Sequence, residues 1–241
     1  VDRKVKRAER IRRAPKNGWR NLLTRHLVGL PKRPAATGFL DYQPQTTLRP
    51  PFAGEWYVFW GGRLWAQNDH VVGRDQRFAY DLLMLARGNA SPSHRGAGDN
   101  SDYYCCGQPI YAPADGDVVK AKSDLPDNTP GEMNAKSVRG HYVILDHGCD
   151  EFSFFAHFRQ GTVVVRSGDQ VRCGQCLAEC GNSGLFLEPH LRYPMQNTSA
   201  PLRGDGPPAF FVERLANGRP VACGEPVARQ TLRSQREFSR Q

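Results

Sequence analysis

The chain has no run of about 18 consecutive apolar residues, the length a membrane-spanning helix needs, and nothing at Val1 resembles a signal peptide. These absences argue for a soluble chain, already processed if it is exported. It also has no internal repeat and no low-complexity tract. Its seven cysteines (Cys105, Cys106, Cys149, Cys173, Cys176, Cys180, Cys223) are an odd set, so at least one is unpaired and a fully disulfide-framed domain is excluded. A nucleophile motif is missing too: Cys105 and Cys106 follow two tyrosines in a context that announces neither a serine nor a cysteine protease.

What is there points to short strands. The 241 residues include 24 glycines and 18 prolines, many turns for one sizeable domain, and favour an all-β fold over long helices. The formal charge is +9 for the whole chain and +10 for residues 1–33, so the rest sums to −1. A basic arm on a near-neutral body suits contact with an anionic polymer or surface through residues 1–33, or a solvated leader. It argues against a specific nucleic-acid-binding protein.

The first 47 residues read as a basic, irregular or partly helical extension, with a short helical pattern from Trp19 to Leu30 before Pro31. Residues 48–230 read as the main domain and 231–241 as a C-terminal tail. The aromatic run Glu55 to Trp60, closed by Gly61 and Gly62, suits an entering strand. Apolar runs at 78–85, 107–119, 141–146, 152–158, 162–165 and 171–180 then alternate with turn formers, as does a strand pair near 210–215 and 219–222. Together they predict a compact antiparallel sandwich. Residues 121–139 hold too many turn formers for a strand and should form a long loop, a groove wall. The spacing of Cys173, Cys176 and Cys180 could suggest structural zinc, but alternation over 171–180 favours packing in a strand.

Three histidines and one aspartate stand out: His70 in Asn68-Asp69-His70, His157 in Phe155-Ala156-His157-Phe158, His190 in Pro189-His190-Leu191-Arg192, and Asp81 in Tyr80-Asp81-Leu82. Imidazole and carboxylate are zinc ligands, and a catalytic site leaves one position open for water. Taken singly, each histidine is more often structural.

Taken in order, with their neighbours, they resemble the lysostaphin-type (LytM-like) zinc metallopeptidases. The resemblance covers residues 48–230. It rests on 109–119 and 140–148 as consecutive strands, on Phe155-Ala156-His157-Phe158, on Val171 to Cys176 as a Val-x-x-Gly-Gln-like element, and on the turn Gly181-Asn182-Ser183-Gly184 before a His-x-His strand. It implies a barrel-sandwich hybrid with a groove, Zn2+ as cofactor, peptide bonds of bacterial cell-wall peptidoglycan as substrate, and export to the envelope. By position, Asp81 becomes a metal ligand and His157 and His190 the catalytic pair beside zinc-bound water, while the resemblance takes the first metal ligand from an upstream Asn-x-His segment, here His70. A lipoyl- or biotinyl-carrier role would need a lysine at a hairpin tip, and none fits.

Two positions depart from the pattern. Arg192 stands where the second histidine of His-x-His belongs, and Arg77 where His-x-x-x-Asp has its histidine. A guanidinium has no lone pair to give a metal. The expectation is a zinc endopeptidase with an incomplete metal site; the alternative is an inert binding or regulatory domain on the same fold, and Arg192 separates the two.

Overall fold

The computed structural model describes residues 34–86, 93–96, 98–134 and 137–235. The basic stretch 1–33, with the helical pattern at Trp19 to Leu30, and residues 236–241 lie outside the described residues. What is described is all-β, apart from two short 3-10 helices at Asp69–Val72 and Asn100–Asp102. No helix among the described residues is long and apolar enough to cross a membrane.

The strands are β1 (Glu55–Trp60), β2 (Tyr80–Leu83), β3 (Pro109–Tyr111), β4 (Gly116–Lys122), β5 (Tyr142–Asp146), β6 (Phe152–Ala156), β7 (Gln170–Val171), β8 (Cys176–Glu179), β9 (Leu191–Tyr193), β10 (Met195–Gln196), β11 (Phe211–Ala216), β12 (Arg219–Gly224) and β13 (Thr231–Ser234). One large antiparallel sheet runs in the order β12-β11-β13-β1-β2-β9-β6-β5-β4-β7, with β10 also on β6, and β3 pairs with β8 apart from it. The first four residues of the 231–241 stretch therefore belong to the sheet.

Side-chain alternation sorts the faces. Trp56 and Val58 of β1, Tyr80 and Leu82 of β2, and Leu191 and Tyr193 of β9 all enter the main core. Aromatic rings knit it together: Phe155 meets Tyr193 edge-on with centroids 5.1 Å apart, and Phe211 lies 5.5 Å from Tyr193 and 6.0 Å from Tyr80. The opposite face of β5 and β6 carries a smaller cluster of Tyr142, Ile144, Phe154 and Ala156.

Three strand expectations need correction. Residues 109–119 are two strands, β3 on β8 and β4 in the large sheet. Residues 162–165 form no strand, because the Thr162 hydroxyl, rather than backbone, takes the Glu179 N–H at 3.1 Å, leaving one ladder bond from Val164 N to Leu177 O. The run 171–180 is two strands. The chain turns between them through Gln175 N to Arg172 O, with Gly174 at φ +88°, a conformation only glycine adopts cheaply. None of the seven cysteines forms a disulfide; Cys105 and Cys180 pack in the core, Cys106, Cys173 and Cys176 are only half-buried, and Cys149 and Cys223 are exposed.

Glu151 ties the segment before β1 to the β5–β6 turn. Fully buried, it accepts bonds from the Tyr42 hydroxyl, Gln45 N and Thr46 N, each at 2.7 Å. Burial opposes its ionisation, but these donors prevail and hold the carboxyl below its ordinary value. Its contribution is therefore complete above the unfolded value of about 4.3 and is lost as pH falls through the lower native one. Glu151→Gln should reduce stability by about 1–3 kcal/mol at neutral pH, with the difference shrinking in acid. Urea unfolding across pH checks this, and an unmoved midpoint would mean these bonds contribute nothing.

Candidate functional site

Strand register builds the centre of the site. Between β2 and β9, Tyr80 faces Tyr193, Asp81 faces Arg192 and Leu82 faces Leu191. The flanking residues point into the core, so period-two alternation turns Asp81 and Arg192 together to the other face. A bulge between Val58 and Trp60 sets Trp60 opposite Asp81 on the far side of β2.

Arg192 sits on the aspartate: its Nε lies 2.8 Å from Oδ1 and its Nη2 3.3 Å from Oδ2. The Nε contact is an ion pair without hydrogen-bond alignment, since neither atom counts a hydrogen-bond partner. His70 reaches the same carboxylate from outside the sheet, with Nε2 2.9 Å from Oδ2. Asn68 explains why His70 can do so. Its side chain caps the 3-10 helix by accepting His70 N at 3.0 Å, and it donates to Gly62 O at 3.1 Å and Ala79 O at 3.0 Å.

His157 follows β6 at φ +68°, a left-handed conformation that costs a non-glycine residue about 1 kcal/mol or more. It is held by its own N–H to Arg139 O at 3.2 Å, by Gly181 N to its carbonyl at 3.0 Å, and by its Nδ1, which donates to Ser183 O at 2.6 Å. His190 Nδ1 donates to Glu188 O at 3.0 Å. With Nδ1 as the donor on each ring, Nε2 carries the lone pair. The two rings stand 4.7 Å apart, and Phe186 packs on His190 with centroids 3.8 Å apart. His190 Nε2 lies 3.7 Å from Asp81 Oδ1 and is buried without a hydrogen-bond partner.

Charge follows geometry. Burial would raise the Asp81 carboxyl, but Arg192 first, then His70 and His190, hold it far below the usual range. Burial pushes His190 down to about 4, against the pull of Asp81 and with the help of Arg192. Burial, then His190 and Arg192, push His157 well below its ordinary value. Both rings are therefore neutral at pH 7.

His70, Asp81, His157, His190 and Arg192 thus come together in one place. Arg77 spends its donors elsewhere, on Ala35 O at 3.3 Å and Arg63 O at 3.1 Å, with its guanidinium 4.9 Å from the Phe78 ring centroid. Above the site opens a cleft of about 300 Å³ whose lining includes Trp60, Asp69, His70, His157, Phe186 and Arg192. Met133 and Val138, of the loop that follows β4 at Lys122, form part of its wall. Sequence reasoning missed Asp69, Trp60 and Phe186. Trp60 was hidden by the bulge, and Asp69 by its place beside the more conspicuous His70.

These donors do not complete a zinc site. Both oxygens of Asp81 are engaged, the third ligand position holds a guanidinium, and the fixed positive charge of Arg192 opposes a divalent cation at that spot. Among the described residues, no group of three or more His, Cys, Asp or Glu side chains is arranged to hold a metal ion.

Comparison with known proteins bears on this geometry. The family described as Peptidase family M23 matches residues 100–203. The chain is similar to the lipoprotein NlpD of Yersinia enterocolitica, 33% identical over 100 residues that make up 40% of this chain and 89% of that protein. It is also similar to the peptidoglycan DD-endopeptidase ShyA of Vibrio cholerae, 30% identical over 148 residues, covering 58% of this chain and 31% of ShyA. The chain spans about a third or less of the first curated relatives it matches. The catalytic domain of lysostaphin from Staphylococcus simulans aligns in three dimensions with a TM-score of 0.35 and 17% identity, over 64% of this chain and 88% of that one.

Removing one member of the buried pair should cost more than removing both. Asp81→Asn is expected to lose about 3 kcal/mol, because it strands the Arg192 guanidinium, whereas the double change with Arg192→Met should lose less. Urea unfolding of the set measures this. A double variant no more stable than Asp81→Asn alone would show that the two side chains are not coupled.

Proposed function

We propose that this chain, which belongs to peptidase family M23, keeps the family's groove as a peptide-binding cleft and does not run zinc hydrolysis in it. One observation carries the reading: Arg192 Nε lies 2.8 Å from Asp81 Oδ1, a cation already seated in the ligand position. A buried aspartate held ionised needs positive charge nearby, and the guanidinium supplies it permanently. What it cannot supply is an open coordination position for water or a carbonyl oxygen.

The remaining parts suit binding. Neutral His157 lines the cleft and has its Nε2 lone pair left for a peptide N–H, and the cleft walls offer apolar contact through Trp60, Val138 and Phe186. Peptides of cell-wall peptidoglycan are the proposed ligands, supported by the kinship with a peptidoglycan DD-endopeptidase. Export to the cell envelope is proposed on the same ground. So is the division into a basic extension at 1–47 and a peptidase-like domain from 48 that includes β13 at Thr231–Ser234, with residues 1–33 serving to hold the chain near an anionic polymer.

A second reading, zinc-dependent endopeptidase activity, is favoured by a different feature. The buried His190 Nε2 faces Asp81 Oδ1 at 3.7 Å with no partner of its own, and His70 lies on the same carboxylate. Under that reading His70 and Asp81 are ligands and His190 would have to join them, leaving His157 alone as the catalytic imidazole.

Calorimetric titration with Zn2+ separates the readings. The unaltered protein should give no stoichiometric uptake and should bind purified peptidoglycan without lysing it, while Arg192→His should bind zinc at least tenfold more tightly. Stoichiometric zinc and lysis in the unaltered protein would make it a hydrolase. Equal zinc binding by both proteins would remove position 192 from the ligand set.

A further inference from the structure

The cleft contains one carboxylate that the ion pair at its floor does not use. Asp69 is 6% exposed and belongs to the cleft lining, yet its Oδ2 is buried without a hydrogen-bond partner, and no ion pair forms to it among the described residues. The residue is not loosely placed. It begins the 3-10 helix Asp69–Val72, whose cap, Asn68, is fully buried and braced to Gly62 O and Ala79 O.

Charge bookkeeping in the cleft leaves a remainder. Arg192 is matched by Asp81. His157 and His190 are neutral, and Asp69 is left with no ion-pair or Oδ2 hydrogen-bond partner: burial raises its carboxyl above the ordinary value, and neighbouring His70, already on Asp81, only partly offsets this. An unpaired buried carboxylate is costly to a folded chain, and groups of this kind are retained where a ligand completes them. Around it the wall is apolar: Trp60, Val72, Met133 and Leu187 line the same space.

We propose that the cleft selects peptides carrying a primary amine beside an apolar segment, with Asp69 as the counter-charge for the ammonium group. The assignment rests on the reading of the cleft as a peptide-binding site and adds to it a ligand class and a residue that recognises it. An ammonium brings three donors and a charge to an acceptor that has neither, and the apolar walls cover the neighbouring side chain. Trp60, which lines the same cleft, adds an aromatic ring of the kind that attracts a cation. Asp69 is therefore a specificity-determining residue.

The test uses the full chain and two capped tetrapeptides, acetyl-Ala-Leu-Lys-Ala-amide and its counterpart with norleucine for lysine, which differ only in the amine. Binding is followed by calorimetry for the unaltered protein and for Asp69→Asn. The lysine peptide should bind at least tenfold more tightly than the norleucine peptide, and Asp69→Asn should abolish the difference while leaving norleucine-peptide affinity within about twofold. Because the substitution removes an unpaired buried charge, the urea midpoint should hold or rise. Equal affinity for both peptides would overturn the role of Asp69 and leave the peptide-binding reading standing. Binding of neither peptide would overturn that reading, and this inference with it. A lowered urea midpoint in Asp69→Asn would assign the carboxylate to the fold rather than to a ligand.

Discussion

A carboxylate that is buried and ionised must have positive charge within reach, and much of the site follows from how this chain meets that need at Asp81. The position is fixed before any ligand is considered, because β2 and β9 pair with Asp81 directly across from Arg192. Zinc and a guanidinium both satisfy the electrostatics, but they are not equivalent. The metal is exchangeable and leaves a coordination position open, whereas the guanidinium is part of the chain and spends its geometry on the carboxylate. Neighbouring groups conform. His190 and His157 stay uncharged in a place where another cation would be repelled, and each is oriented by a backbone carbonyl at Nδ1.

The membership in peptidase family M23 and the state of the site are separate conclusions, drawn from different residues. Family membership rests on a stretch of sequence from 100 to 203 and on a match over 89% of a short relative. The chemistry rests on four or five side chains, two of them, His70 and Asp81, outside that stretch. A fold can outlast the reaction it once served, so the groove is interpreted through its own charges and not through its ancestry.

Much of this was legible from sequence where burial and alternation agree. The strands around Trp56, Val58, Tyr142 to Asp146 and Phe152 to Ala156 came out as expected, as did the pair β11 and β12, because apolar residues at period two leave no other economical arrangement. The run 171–180 misled because Gly174 permits a reversal that its apolar neighbours conceal, and 162–165 because a threonine hydroxyl replaced a ladder bond. Asp81, His157, His190 and Arg192 could be grouped from motif order, and they do meet. Asp69 could not, since nothing in Asn68-Asp69-His70 says which of two adjacent polar side chains will turn inward and find no partner.

The loop after β4 that carries Met133 and Val138 is bonded to the 182–187 segment at several points, Asn128 N to Asn182 O, Gly131 N to Leu187 O and Asn134 N to Gly184 O, and meets it most tightly at one seam. At Gly140, φ is +60° and any Cβ would collide with Ser183, whose carbonyl orients His157, while Gly184 across the seam is also left-handed at φ +96°. Beyond that seam Met133 and Val138 touch the cleft without carrying the sheet. Because those ties run through backbone atoms, the side chains that face the cleft can change while the floor stays as it is, so that lineages sharing this scaffold can diverge in what they hold long before they diverge in shape.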